Sequence, residues 1–269
     1  MALGMSLRYP RILSAMPDRA GVYVLGMLRS GTSAIARVVD LLGVPLATEG
    51  LLAPGATGNP AGYWEPRDLM TFNDALLRRL GGAWHRPPPL QLTAYAGRVL
   101  SDRIPEARER FRALHPTPQW VWKDPRNCLL LPFWRAALDE RAVAVVTYRH
   151  PAEVVASLGR RGMPAERARE LWEHYLRSAL FASRDLPRIV VDYGDLAARP
   201  GPAVRRLAGF LSSADMALDG EEGEERAVAS VDRELRRERP GEDAVELSDA
   251  QRGLVASLLS AAAEPAPAG

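Results

Sequence analysis

A short apolar run, Val22-Tyr23-Val24-Leu25, passes directly into Gly26-Met27-Leu28-Arg29-Ser30-Gly31-Thr32-Ser33. A segment with apolar residues at helical spacing comes next: Ile35, Val38, Val39 and Leu42. A buried strand, a tight glycine turn and a helix start in that order leave few folds open. The two glycines stand five apart, as in P-loops, whose backbone N–H groups converge on an anion at a helix N-terminus. In the nucleoside-triphosphate version of such a loop, lysine comes after the second glycine. Here Thr32 stands there, and the loop's positive side chain is Arg29. The loop is therefore expected to hold a phosphate-type group without ordinary ATP or GTP chemistry.

The rest of the chain alternates short apolar runs with amphipathic segments. Strands are expected over 120–122, 143–148 and 189–191, and helices over 68–80, 151–160, 164–183 and 202–211. Short, fully apolar strands between helices specify a parallel sheet covered on both faces. The expected fold is α/β: a P-loop-type three-layer α/β/α arrangement with a central parallel sheet and a helical insertion. Residues 1–212 form that unit. Residues 50–115, which carry no strand pattern, are its insertion or lid, with Trp64, Phe72, Trp84 and Tyr95 as candidate walls of an acceptor pocket. Residues 213–260 are expected to form a charged helical extension, and 261–269 a disordered Ala/Pro tail.

Composition removes several function classes. The 47% hydrophobic and 25% charged content is that of an ordinary globular chain. No apolar run approaches the roughly 20 residues that span a bilayer. Residues 1–18 lack a secretory pattern, since Arg8, Pro10 and Arg11 interrupt the apolar stretch, so a cytoplasmic protein is expected. A net charge of +2 is too balanced for a nonspecific nucleic-acid binder. The one cysteine, Cys128, can form no internal disulfide and, at the head of an apolar run, reads as a buried structural thiol. The four histidines show no metal-ligand spacing, so no metal site is expected.

Of 35 basic residues, one is a lysine, Lys123. Pressure toward arginine codons explains the bias but leaves the survivor as a suspect, because a compact ammonium and a planar guanidinium do different work. Lys123 ends the second expected strand. A second anion site is expected after the third: Arg149 stands at the strand's carboxyl end, where ligands gather in parallel sheets, and Ser157 lies eight residues later in the next helix. Guanidinium and hydroxyl can both donate to one anion. Two anion sites at two strand ends imply a ligand with two separated phosphate-like groups.

This pair of motifs resembles the sulfotransferases that use 3′-phosphoadenosine 5′-phosphosulfate (PAPS), in particular the bacterial-type branch that opens on a Gly-Met-X-Arg-Ser-Gly-Thr-Ser loop. The resemblance runs from about 22 to 211. It implies that Arg29, Ser30, Gly31, Thr32 and Ser33 bind the 5′-phosphosulfate, and that Arg149 and Ser157 bind the 3′-phosphate. Val191-Asp192-Tyr193-Gly194-Asp195-Leu196 is similar to the family's Tyr-Glu-Asp-Leu segment, which puts Tyr193 near the nucleotide, although Gly194 replaces an acid. Asn59 to Glu65 and Trp122 to Arg126 are also similar to recurring segments of that branch. Leu28 departs from the pattern, since relatives usually carry histidine there.

The resemblance further implies sulfuryl transfer from PAPS, as co-substrate, to a small-molecule, glycan, lipid or carrier-bound acceptor. Arg29, the loop amides and Lys123 would meet the charge on the departing nucleotide. The base is left open among three acids. Cytosolic eukaryotic relatives use a histidine two residues after the lysine, where this chain has Pro125. Other branches use a glutamate beyond the loop helix, which makes Glu65 and Glu49 candidates. Trp64 gives Glu65 an apolar neighbour suited to raising a carboxylate for base work. Asp124 could serve as base, as ion-pair partner or as holder of Lys123, and Arg126 as substrate ligand or acid partner. A P-loop small-molecule kinase and a non-catalytic nucleotide-binding protein are the competing readings.

Overall fold

The structure, a computed structural model, describes residues 19–52, 63–231, 241 and 244–264. Four parallel strands form one sheet: β1 Ala20–Leu25, β2 Gln119–Lys123, β3 Arg141–Tyr148 and β4 Arg188–Asp192, in the order β2-β1-β3-β4. From β1 the chain goes to β2 on one side. It then crosses back over β1 to β3. The direction of winding thus reverses around β1, and the carboxyl ends of β1 and β3 flank the crevice where such sheets take ligands.

Alternation along the strands builds both layers. Val22 and Val24 of β1, Val143 and Val145 of β3, and Ile189 and Val191 of β4 face one helical layer. That layer holds α1 Thr32–Leu41, the short α9 Tyr193–Ala198, α10 Pro200–Ser213 and α11 Gly220–Ala229. Tyr23, Leu25, Trp120, Trp122, Ala144, Val146 and Val190 face the other. It holds α2 Arg67–Arg79, α5 Ile104–Leu114, α6 Asn127–Leu138, α7 Pro151–Gly159, α8 Ala165–Ala182 and α12 Asp249–Ala263. This is the α/β/α sandwich expected, with the strand-free stretch folded as α2, the short α3 Leu90–Ala94 and α4 Ala96–Val99, and α5.

Three local features depart from the expectations. Helix α6 has no amphipathic period to announce it, because nine of its residues, from Asn127 to Leu138, are buried. Residues 261–263, expected in the tail, complete α12, whose Leu254 and Leu258 are buried and whose Ser248 and Gln251 form a capping box. Among the aromatics assigned to an acceptor pocket, Phe72 lies in the core and Tyr95 is 60% exposed on the surface. Residues 1–18, 53–62 and 265–269 lie outside the described part, and with them the leader reading, most of the Asn59–Glu65 segment and the end of the tail. Among the described residues, no helix is long and apolar enough to cross a membrane.

The β1–β2 contact tolerates no added bulk. A Cβ on Gly21 would stand 2.0 Å from the Trp120 ring, which is itself wedged edge-on against Tyr23 at 5.0 Å and Phe111 at 4.8 Å. Overpacking of this kind costs about 1–3 kcal/mol. Gly21→Ala is expected to lower Tm by about 2–12 °C; an unchanged melting curve would show that the indole can move aside.

Candidate active site

The glycine loop is fixed from three sides. Below it, the Gly26 N–H donates to Cys128 Sγ at 3.1 Å, and burial pushes the thiol up to about 12, so Cys128 is a structural anchor. Gly31 takes φ 89° at the head of α1, and a Cβ there would stand 2.2 Å from the Tyr193 ring. Only glycine fits that backbone and that contact. Arg29 is held in the left-handed region at φ 70°. Its carbonyl accepts from Arg149 Nη1 at 2.9 Å, and its own Nε donates to Ser157 Oγ at 3.0 Å.

The two anion elements read from separate strand ends are thus joined side chain to backbone. Arg149 is aimed by its neighbours. Its Nε donates to Glu153 Oε2 at 2.8 Å, its carbonyl accepts from Trp172 Nε1 at 3.2 Å, and its guanidinium lies 5.3 Å from the Tyr193 ring centre. Two donors in this cluster, Ser30 Oγ and Arg149 Nη2, are buried and make no hydrogen bond to the described residues. Buried polar groups left without a partner are costly; of the two, Arg149 lines the cleft described below and Ser30 does not. Burial, then repulsion from Arg161 and from Arg149 and Arg160, lowers the Arg29 pKa. The surplus of positive charge suits a ligand with more than one negative charge.

At the end of β2, Lys123 is 1% exposed and its Nζ donates to Glu65 Oε1. Glu65 is brought there by a two-residue antiparallel pairing of Leu51 with Pro66. The Leu52 N–H donates to the Glu65 carbonyl at 3.0 Å and the Arg67 N–H to the Gly50 carbonyl at 2.8 Å. Trp64, at φ 55°, makes the turn before it and carries Arg37 over its ring at 5.4 Å. Burial raises the Glu65 carboxyl above the ordinary glutamate value, opposed by the Lys123 ammonium.

The other two acids are placed elsewhere. Glu49 is exposed and does not reach the cleft. Asp124 is buried but does not line it. One oxygen of Asp124 accepts from Asn73 Nδ2 at 2.9 Å, the other from the Arg126 N–H at 2.9 Å and Arg126 Nη1 at 3.1 Å. Asp124 thereby starts α6 and orients Arg126, which also donates to Asp74 Oδ1 at 2.5 Å. Its geometry is that of a holder for Arg126 and Asn73.

These parts open on one cleft of about 380 Å³, within the range of small-molecule sites. Arg29, Thr32, Ser33, Arg149, Ser157 and Tyr193 line it, as do Lys123 and Glu65. Leu28, Trp64, Met70 and Trp84 give it an apolar wall. Sequence reasoning did not single out Arg160 and Arg161, which line the cleft just past α7, or Ser230 and Val231 beyond α11. The density of arginine after residue 149 was the available signal for the first pair. His150 caps α7, its Nδ1 accepting from the Ala152 N–H at 3.3 Å. His115 is stacked on Phe111 at 4.4 Å and pushed down to about 3 by burial, a neutral core group.

Fold and site define a class: an α/β/α protein with a cation-rich cleft at the carboxyl ends of its parallel strands. Among solved structures, the chain is similar to the sulfotransferase domain of the olefin synthase of Synechococcus PCC 7002. Identity is 17% over 94% of this chain and 98% of that one, with a TM-score of 0.52. It is also similar to sulfotransferase STF9 of Mycobacterium avium, at 16% identity over 93% of this chain and 79% of that one, with a TM-score of 0.54. At such identities the shared property is the fold. No protein-family model and no curated protein matches the sequence.

Proposed function

We propose that the protein is a sulfotransferase that moves a sulfuryl group from PAPS to a hydroxyl or amine of a small-molecule, glycan, lipid or carrier-bound acceptor. One observation carries this reading: the glycine loop and Arg149 are bonded into a single cluster, and Arg29, Thr32, Arg149 and Ser157 line one cleft. The loop amides with Ser30, Thr32 and Ser33 would take the 5′-phosphosulfate, and Arg149 with Ser157 the 3′-phosphate. Tyr193 would wall the nucleotide between them.

Glu65 takes the proton of the acceptor hydroxyl as the acceptor oxygen forms its bond to sulfur. The bond from sulfur to the bridging oxygen breaks, and its electron pair stays with 3′-phosphoadenosine 5′-phosphate (PAP). Lys123 and Arg29 stabilise that developing charge in a site of low dielectric. Trp64, Met70 and Trp84 line the same cleft as Glu65 and Lys123 and suit an acceptor with an apolar body around its hydroxyl.

Transfer of labelled sulfate from PAPS across a panel of hydroxylated metabolites tests the activity, and thermal melting with ligands tests the donor. A micromolar ligand at millimolar concentration stabilises by roughly 4 kcal/mol, so PAP should raise Tm well above the buffer control. Stabilisation by ATP with Mg²⁺ instead would favour a small-molecule kinase. PAP binding with no transfer to any acceptor would favour a non-catalytic nucleotide-binding protein.

Arg149→Ala removes charge-assisted bonds worth about 1.5–3 kcal/mol. PAP affinity is expected to fall about 10- to 150-fold, and affinity for adenosine 5′-phosphosulfate far less, because it lacks the 3′ group. Equal losses for the two ligands would remove Arg149 from the 3′-phosphate site.

A further inference from the structure

Lys123 and Glu65 are both assigned work on the reacting atoms, yet here each occupies the other. Lys123 Nζ donates to Glu65 Oε1, and the two side chains are only 2% and 11% exposed. Among the described residues, Glu65 is the one acid that pairs with Lys123. The nearby Asp124 cannot take its place, since both its oxygens are held by Asn73 and Arg126. An ammonium bound to a carboxylate is poorly placed to meet a departing phosphate. A carboxylate holding that ammonium is a weakened base.

We infer that Lys123 is exchanged between two anions: it holds Glu65 while the cleft lacks donor, and passes to the donor's phosphate oxygens when PAPS enters, releasing Glu65 as the base. The inference rests on the nucleotide reading above. The exchange would arm the base only when donor is in place. Release leaves the Glu65 carboxylate buried beside Asp124, with Arg126 committed to Asp74 and Asp124 and Arg37 lying over Trp64. A buried carboxylate that loses its cation binds a proton more tightly. Donor binding should therefore take up protons at Glu65.

Calorimetric titration of the full chain with PAP at pH 7.5, in buffers of different ionisation enthalpy, reads that uptake. At this pH phosphate groups, with second pKa near 6, are largely ionised already. The expected result is a fractional uptake, below about 0.5 proton per PAP, in the wild type relative to Glu65→Gln, so that most Glu65 stays ionised as the base. Lys123→Gln breaks the pair in advance and should match Glu65→Gln, which keeps the test in force if one variant does not fold. Binding of PAP with equal proton exchange in the wild type and a folded variant would overturn the exchange alone. No binding of PAP would overturn the nucleotide reading and the exchange with it.

Discussion

Glu65→Gln is expected to lower kcat for sulfuryl transfer by about 10²–10⁴-fold, the usual contribution of a positioned general base. The amide keeps the shape of the side chain and can still accept from Lys123, so the fold and the cleft should persist. What is lost is the capacity to take the acceptor's proton. The pH profile gives the same prediction a second form. The base must be ionised, so the wild-type rate falls as pH drops through the Glu65 pKa. Burial sets that pKa above the ordinary glutamate value. The acidic limb should therefore lie at a higher pH than a surface glutamate would give, and it should vanish from the residual activity of Glu65→Gln. Near-wild-type turnover in Glu65→Gln, measured at saturating donor, would assign the proton to another group.

Lys123→Ala should reduce kcat by about 10²–10³-fold, as removal of one preorganised donor to a developing oxyanion does. PAP affinity should fall much less, because the loop amides, Arg29 and Arg149 hold the ground state. An interaction made chiefly in the transition state lowers kcat in this way. Lys123→Arg is a sharper test. The chain uses arginine at every other basic position. A guanidinium is wider and planar, and in a site 1% exposed between β2 and Glu65 it should not restore turnover. Equal losses in kcat and in PAP affinity would make Lys123 a binding group only.

The parts of the site that were legible in the sequence are those fixed by neighbours along the chain. The glycine loop is written in a strand, two glycines five apart and a helix start. Arg149 and Ser157 are marked by a strand end and the first turns of the next helix. Lys123 stood out against a bias toward arginine. The parts that were not legible depend on packing between distant segments. Glu65 and Glu49 are separated by the pairing of Leu51 with Pro66, which turns one into the cleft and leaves the other outside. Asp124 looks like a base in the string Lys-Asp-Pro-Arg, and only its bonds to Asn73 and Arg126 identify it as a holder. Helix α6 lacks a periodic signal because burial on nearly every side removes the polar face by which helices are read. Cys128 was expected to be buried, but its bond to the Gly26 N–H spans 102 residues of chain.

One geometric claim is central: an adenine nucleotide with phosphates at both ends is held between the loop at 29–33 and Arg149. A crystal structure of the protein with PAP bound tests it most directly. The predicted result has the 5′-phosphate on the loop amides with Thr32 and Ser33, and the 3′-phosphate on Arg149 and Ser157. A nucleotide bound away from both elements, or both elements empty at saturating PAP, would contradict it.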